Sequence, residues 1–198
     1  MILYGAGGHG RVILEILESI GVEIGAIYDD NPKIKSMLGY PVQQLYDLKH
    51  VQGEAFMVSI GCNRTRAKVV SKLKGVRFGV AMDPSARVSK SSVIRAGTVV
   101  MPGGTINAAS VIGDHCIINT GAVVEHDCHL GDFVHIGPNA TLCGEVSIGE
   151  GSLIGAGAVV LPGVKIGSWV TVGAGSVVRN DVPDLCTVVG NPAKSIKN

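Results

Sequence analysis

The dominant pattern in this sequence is an aliphatic residue at every sixth position from Val88 to Val178. The members of this column are Val88, Ile94, Val100, Ile106, Ile112, Ile118, Val124, Leu130, Ile136, Leu142, Ile148, Ile154, Val160, Ile166, Val172 and Val178. A second column, four positions after each aliphatic, holds only small or β-branched residues. A period of six matches neither a helical stripe nor a long alternating strand. It predicts a parallel β-helix with one short strand and one corner per hexad and three hexads per turn.

The repeat runs without an insertion, so vertical neighbours can be predicted by counting. Residues 18 apart are expected to lie one above the other, about 4.8 Å apart, which is the normal spacing between strands. Sixteen hexads then form a little over five turns, a prism about 25 Å long. Cys116 and Cys128 fall in the small inward-facing column, and we interpret them as core residues.

The first part of the chain follows a different pattern. An apolar strand, Met1–Tyr4, is followed by the glycine-rich loop Gly5–Gly10, a helix over Arg11–Ile20 and a second strand over Val22–Tyr28. Strand, GxGxxG loop, helix and strand in this order are typical of half a Rossmann unit. The sequence therefore predicts an α/β N-terminal half-Rossmann domain ahead of the β-helix.

The remaining N-terminal segments complete this α/β unit. We expect a loop, a short strand and turn, a third strand, a helix and a fourth strand over Asn31–Tyr40, Val42–Leu48, Ala55–Ile60, Arg64–Leu73 and Val76–Ala81, respectively. Asp83-Pro84 marks the joint between domains, because proline disfavours helix in the residue before it. The predicted domains are residues 1–83, 84–179 and a C-terminal cap over 180–198.

The glycine loop suggests a site for a nucleotide. Gly7 and Gly8 let backbone N–H groups approach a phosphate at the start of the helix. Asp29 and Asp30 follow about 20 residues later, where an acid can accept from ribose hydroxyls or a base edge. Only one such half fits before the prism, so a mononucleotide diphosphate is favoured over NAD; a tight turn with a solvated acidic pair is the alternative.

A second polar turn lies at the same expected edge of the sheet. Gly61-Cys62-Asn63 follows the third strand, and the carboxyl ends of parallel strands meet on one side. Asn63 and Arg66 could therefore reach the same ligand, although a surface role is an open alternative. We include Asn63 among the predicted nucleotide-sugar contacts.

Composition excludes several other functions. The net charge is +1 and no Lys/Arg run exceeds a pair, so neither nucleic acid nor an anionic membrane is an expected partner. No apolar run approaches the ~20 residues of a membrane span, and the N-terminal residues are interpreted as a strand leading into a glycine loop, not as a basic region before a signal core. We expect a cytoplasmic protein. The five cysteines contain no CxxC pair, which argues against a disulfide framework or a structural zinc site.

One of the six histidines in the chain differs from the others in its sequence neighbours. His126 lies in Glu125-His126-Asp127 at a predicted corner, where a carboxylate can hold the imidazole tautomer and favour its protonated form. Either flanking acid could do this. Gly144 is 18 residues further, so its backbone N–H can serve as an oxyanion donor beside a base.

His135 is not expected to share a site with His126 within one prism, because it lies nine residues from His126, or half a turn. The two could meet only across a subunit boundary. No two histidines are 18 apart, so no metal is expected.

Together these motifs resemble the hexapeptide-repeat acyltransferases, and in particular the nucleotide-sugar N-acetyltransferases of the bacillosamine and perosamine type with the related sialic acid O-acetyltransferases. The resemblance is carried by the repeat, the glycine loop, the acidic pair, the Gly61-Cys62-Asn63 turn, Asn119-Thr120 and Glu125-His126-Asp127. It implies a left-handed parallel β-helix, a homotrimer with sites between subunits, and acetyl-CoA as co-substrate.

The resemblance also implies roles for individual residues. His126 matches the general base and Asp127 its acidic partner, while His135 and Gly144 match positions that contact the acetyl donor. The residues that match the nucleotide pocket of the acceptor are Gly7, Gly8, His9, Asp29 and Asp30.

The expected reaction is acetyl transfer from acetyl-CoA to the 4-amino group of a nucleotide-linked deoxysugar. O-acetylation of a sialic acid or a related sugar is an alternative, because both acceptor classes share these motifs. A non-catalytic nucleotide-binding trimer is a second alternative. It would bind ligand without needing His126, Asp127 and Gly144.

Overall fold

The computed structural model describes residues 1–45 and 53–196. An N-terminal α/β unit, here called the head, is followed by a parallel β-solenoid. The head contains β1 (Ile2–Tyr4), α1 (Gly8–Ser19), β2 (Ala26–Tyr28), β3 (Ser36–Met37), β4 (Tyr40–Gln43), β5 (Ala55–Val58), α2 (Asn63–Lys72) and β6 (Arg77–Phe78).

The head is built on one six-stranded sheet in the order β3-β4-β2-β1-β5-β6. All its neighbours pair in parallel except β3 and β4. Strand β1 is central, between β2 and β5, so the loops after β1 and β5 emerge side by side. In open α/β sheets a ligand binds at such a point, outside the carboxyl ends of the strands. The predicted half-Rossmann unit is confirmed.

Several predicted boundaries in the head were wrong. Helix α1 begins at Gly8, three residues before the predicted start, because extended Gly7 is its N-cap. The expected loop over Asn31–Tyr40 contains a β3–β4 hairpin, which turns through Leu38 and Gly39 at φ 47° and 90°. Residues 46–48 of the predicted Val42–Leu48 strand and turn lie outside the described residues.

The solenoid begins at Ala81 and repeats a two-residue strand. Its strands are β7 (Ala81–Met82), β8 (Arg87–Val88), β9 (Val93–Ile94), β10 (Val99–Val100), β11 (Thr105–Ile106), β12 (Val111–Ile112), β13 (Ile117–Ile118), β14 (Val123–Val124), β15 (His129–Leu130), β16 (His135–Ile136), β17 (Thr141–Leu142), β18 (Ser147–Ile148), β19 (Leu153–Ile154), β20 (Val159–Val160), β21 (Lys165–Ile166), β22 (Thr171–Val172) and β23 (Val177–Val178), followed by β24 (Thr187–Val189) and β25 (Lys194–Ile196).

These strands stack into three faces. Face 1 contains β7, β10, β13, β16, β19 and β22, continued by β24 and antiparallel β25; face 2 contains β8, β11, β14, β17, β20 and β23; and face 3 contains β9, β12, β15, β18 and β21. From β7 to β23, partners along a face are 18 residues apart, as between Val99 and Ile117, whereas β22 and β24 pair 16 residues apart. The predicted vertical register is therefore confirmed. The predicted strand Val76–Ala81 is divided, with β6 in the head and β7 opening face 1.

The interior of the prism is the aliphatic core that the repeat predicts. Ile118, Val124, Ile136, Leu142 and Ile154 are completely buried in one apolar cluster. Cys116 and Cys128 belong to the same cluster and are completely buried, which confirms their interpretation as core residues.

The head lies against face 1. Ile13, Leu14 and Leu17 of α1 form a second apolar cluster with Val99 and Ile117, whose side chains point out of the prism. Helix α1 is thus packed between the sheet of the head and the solenoid, so burial of its apolar stripe fixes the head to this face.

Candidate functional site

The corner after β14 carries the predicted catalytic group. His126 Nδ1 and Asp127 Oδ2 are 2.8 Å apart, and both side chains are 55% exposed. Asp127 has a φ of 58°, a left-handed conformation that Asp tolerates better than most residues. Its carboxylate therefore fixes Nδ1–H as the donor and leaves Nε2 free to accept a proton. Of the two flanking acids, Asp127 makes this bond.

Gly144 lies directly beneath the imidazole. A Cβ on this residue would stand 2.6 Å from His126 Cε1 and 2.7 Å from Nε2. The glycine thus leaves the space that the ring occupies. No backbone or side-chain group of the described residues accepts a hydrogen bond from the Gly144 N–H. A base and, on the adjacent turn, an N–H without an acceptor are the two groups that acyl transfer needs.

The acidic neighbours change the basicity of this histidine. The pKa of His126 is raised from 6.5 chiefly by its hydrogen bond to Asp127, with smaller contributions from the charges of Glu125 and Glu145. A higher pKa favours the imidazolium that forms when the base removes a proton.

The glycines of the loop in the head differ in whether local packing requires a glycine at their position. A Cβ on Gly5 would stand 2.7 Å from the Ile60 side chain, and the Gly5 φ is 117°, so this residue is required by the turn itself. Gly7 and Gly8 have open space where their side chains would be. The predicted phosphate-facing glycines are thus the ones that packing does not require.

The acidic pair closes this loop from the end of β2. The Asp29 carboxylate accepts from the Ala6 N–H at 2.7 Å and from the Asn31 N–H at 2.8 Å, and Asp30 accepts from the Tyr4 hydroxyl. Asp29 therefore orders the glycine loop. Asp30 is exposed at the same edge, where an acid can face a nucleotide.

His9 and His135 meet between the head and face 1. Their ring centroids are 6.4 Å apart, and His135 Nε2 lies 2.9 Å from Asn119 Nδ2. Burial lowers the pKa of each to about 4, helped by the charge of Arg66. Both rings are therefore neutral near pH 7. His9 Nε2 is buried and has no hydrogen-bond partner among the described residues, so a ligand entering here would find a polar atom to bind.

Asn63 and Arg66 require a correction, because both are buried at the domain interface. The Asn63 amide nitrogen donates to the carbonyls of Gly151 and Ser152, and its oxygen accepts from Arg66. Neither N–H of the amide remains for a ligand. We therefore assign Asn63 to the interface and not to the nucleotide site.

The structure thus forms two groups of candidate residues. Asp127, His126 and Gly144 lie at the corner between faces 2 and 3, while His9 and His135 lie where the head meets face 1. The Asn119 contact with His135 was not predicted, since counting by 18 pairs Asn119 with Gly137. A search that included neighbouring positions on the adjacent turn would have found it.

A cleft of about 360 Å³ extends from this second group along face 1. It lies between the start of α2 and strands β16, β19 and β22, and the Arg64 guanidinium covers the Trp169 ring at its rim, 4.8 Å from the ring centroid.

Within residues 1–45 and 53–196, no cluster of three or more His, Cys, Asp or Glu side chains is arranged to hold a metal ion. Neither described helix has the length and apolarity needed to cross a bilayer.

A six-residue-repeat β-solenoid with a carboxylate-paired histidine over an open backbone N–H defines the class of hexapeptide-repeat acyltransferases. Residues 1–73 match the family model described as the PglD N-terminal domain. Residues 109–144 and 145–180 match the bacterial transferase hexapeptide (six repeats).

Solved structures extend this match to the whole chain. Perosamine N-acetyltransferase from Caulobacter crescentus, a histidine-to-asparagine variant in complex with CoA and GDP-perosamine, is 43% identical, with 100% of this chain and 96% of that chain covered and a TM-score of 0.95. The acetyltransferase domain of PglB from Neisseria gonorrhoeae, in complex with acetyl coenzyme A, is 40% identical, with 98% of each chain covered and a TM-score of 0.91. WeeI from Acinetobacter baumannii is 28% identical, with 98% of each chain covered and a TM-score of 0.89.

No curated protein sequence matches the chain. On the identity and coverage of the solved relatives, the chain belongs to the PglD-type hexapeptide-repeat acetyltransferases.

Proposed function

We propose that this protein transfers the acetyl group of acetyl-CoA to the amino group of a nucleotide-linked amino deoxysugar used in bacterial glycan biosynthesis. The observation that carries the proposal is the His126–Asp127 pair above the open N–H of Gly144. The relatives solved with CoA and GDP-perosamine or with acetyl coenzyme A support both substrates.

The chemistry follows from the positions of these groups. The neutral amine attacks the thioester carbonyl, and His126 Nε2 takes the proton that the amine loses. The Gly144 N–H donates to the oxyanion of the tetrahedral intermediate, which then collapses by breaking the carbon–sulfur bond. The proton on His126 passes to the sulfur, so CoA leaves as a thiol. A general base and an oxyanion donor each contribute about 10²-fold or more.

The head would hold the nucleotide of the acceptor. Gly7 and Gly8 present an open backbone at the start of α1, Asp29 orders that loop, and Asp30 is exposed beside it. His9 has a buried, unpaired Nε2 at the same place. These features favour a diphosphate and its sugar over a bare sugar acceptor.

A homotrimer would bring the two groups of site residues together. The head covers face 1, whereas the outward side chains of face 2 after the exposed Arg87 are partly exposed and uncharged: Thr105, Val123, Thr141, Val159 and Val177. His126 borders face 2 on one side, and the corner next to His135 borders it on the other. If face 2 of each copy points to a threefold axis, His126 of one copy faces the His135 side of the next.

The test is CoA-thiol release from acetyl-CoA with UDP-, GDP- and dTDP-linked 4-amino deoxysugars and with sialic acids as acceptors. We expect release with at least one nucleotide-linked amino sugar, a product heavier by one acetyl group, and a solution mass about three times the 20.4 kDa of the chain. Release with sialic acids alone would instead favour O-acetylation. Nucleotide binding without any release would favour a non-catalytic protein.

A further inference from the structure

Arg66 is a buried cation that joins the head to the solenoid, and no carboxylate of residues 1–45 and 53–196 pairs with it. Its side chain is 1% exposed. The guanidinium donates from Nε to the His115 carbonyl at 2.8 Å and from one terminal nitrogen to the Phe133 carbonyl at 2.9 Å. Both carbonyls belong to corners of the solenoid, although Arg66 itself lies on α2 of the head.

The same guanidinium also holds the loop that precedes α2. Its other terminal nitrogen donates to the carbonyls of Ile60 and Gly61 at 2.9 and 3.1 Å. The terminal nitrogen that donates to Phe133 also donates to the Asn63 amide oxygen at 2.9 Å. Asn63 continues the network to the carbonyls of Gly151 and Ser152 on the turn after that of Phe133. Every acceptor is therefore a backbone or amide oxygen, and the planar fork of arginine matches several of them at once.

Holding two domains together through this network has a large free-energy cost. Burying a charge without a counter-charge carries a penalty of several kcal/mol, and burial lowers the pKa of Arg66 to about 10, so it remains charged at neutral pH. The apolar packing of α1 on face 1 already attaches the head. The distinctive property of the guanidinium is the fixed direction of its hydrogen bonds.

The loop that Arg66 holds lies against both imidazoles of the interface. The backbone of Gly61 hydrogen-bonds His135, and a Cβ on Gly61 would stand 3.9 Å from the His9 side chain. The position of this loop therefore sets how the nucleotide end of the head is placed relative to the solenoid.

We propose that Arg66, together with Asn63, is a positioning pair that fixes the head against the solenoid, so that an acceptor anchored by its nucleotide presents its amine at the correct distance from the transfer site. The inference rests on the proposed function. A misplacement of about 1 Å between reacting groups can lower a rate by 10²-fold. An acceptor without a nucleotide is not anchored by the head, and its reaction should not depend on the pair.

The experiment compares anchored and unanchored acceptors in the full-length protein. Wild type, Arg66→Met and Asn63→Ala are assayed by CoA-thiol release with the best nucleotide-linked amino sugar and with the same 4-amino sugar lacking its nucleotide, each at high concentration. Lys68→Met is the matched control, because Lys68 is an exposed cation on the same helix. Calorimetry with UDP and GDP, melting temperature and solution mass are measured for each variant.

We expect Arg66→Met to lower kcat/KM for the nucleotide-linked acceptor at least tenfold, chiefly through kcat, while nucleoside diphosphate binding and turnover of the unanchored sugar change less than about twofold. Asn63→Ala should show the same selective loss to a smaller extent. Arg66→Lys keeps the charge but has at most three N–H donors, so its loss should be intermediate. If Arg66→Met does not fold, Asn63→Ala and Arg66→Lys carry the comparison.

A second readout follows from the charge itself. Arg66 contributes to the lowered pKa of His9 and of His135, each about 4. Its removal should raise both values, as followed by NMR titration, whereas Lys68→Met should leave them unchanged. Equal losses on anchored and unanchored acceptors, or no loss on either, would overturn the inference. A wild-type protein that releases no thiol with any acceptor would overturn the proposed function, and the inference with it.

Discussion

Two histidines of the solenoid each lie against a glycine on an adjacent turn, but they occupy different positions of the six-residue repeat and have different surroundings. His126 is two residues after the column aliphatic Val124, and His115 is three residues after Ile112. His126 lies over Gly144, and His115 lies against Gly97, where a Cβ would overlap its ring. In each pair the two residues are 18 apart, on successive turns. His126 is 55% exposed and bonded to Asp127. His115 is 5% exposed, stacked on Phe133 at 5.2 Å and in edge contact with Phe78 at 4.5 Å.

The surroundings of the two rings determine their chemistry. Hydrogen bonding to Asp127 raises the pKa of His126, whereas burial lowers the pKa of His115. His115 Nδ1 has no partner among the described residues, and its carbonyl receives a hydrogen bond from Arg66. A glycine on an adjacent turn thus leaves room for an imidazole at two different positions of the repeat, and the surroundings of each ring determine whether it is open to a ligand or packed in the interior.

The largest difference is expected when each of the two histidines is replaced by alanine in a separate variant. We expect His126→Ala to lower kcat by at least about 10²-fold because the base is lost, with an unchanged melting temperature because the side chain is exposed. His115→Ala should instead lower the free energy of unfolding by about 2–4 kcal/mol, since it empties a buried aromatic stack. Thiol-release kinetics and chemical denaturation measure the two effects. Near-normal turnover of His126→Ala would remove this residue from the mechanism.

A smaller effect is expected from the glycine beneath the ring. Gly144→Ala keeps the backbone N–H but places a Cβ 2.6 Å from the present position of His126 Cε1, so the imidazole must move. We expect kcat to fall by about ten- to a hundredfold, as for other misplaced catalytic groups.

The control for this prediction is a double-mutant cycle. In a His126→Ala background no ring remains to be displaced, so Gly144→Ala should change the residual rate by less than about twofold. Additive losses in the double variant would mean that alanine harms the site by another route.

The vertical neighbours were predictable because the repeat runs without an insertion. Counting by 18 placed Gly144 against His126, and the structure confirms that contact. Parallel pairing over many turns leaves one register, because a slip would expose the buried column. The carboxylates of Glu125 and Asp127 also identified the corner, although only the corner geometry selected Asp127.

The contacts between the head and the solenoid were not predictable in this way. Arg66 contacts the Phe133 carbonyl across 67 positions, and Asn63 contacts that of Gly151 across 88. Such contacts depend on how α1 docks on face 1, which no repeat encodes. The β3–β4 hairpin was missed for a local reason: its turn uses Leu38 at φ 47°, where Asn, Asp or Gly would have been the usual signal.

The smallest expected effect concerns the acid beside the base. Asp127→Asn can keep both the left-handed backbone and a contact with Nδ1, but it removes the charge that helps to raise the pKa of His126. The base works only when neutral, so activity rises as pH rises through this pKa. Lowering the pKa should therefore move the acidic limb of the kcat/KM profile to lower pH, with a loss of at most about tenfold on the plateau. Glu125→Gln should move the limb less, because Glu125 contributes only a minor charge effect. An acidic limb that stays in place in Asp127→Asn would show that the exposed pair does not set the basicity of His126.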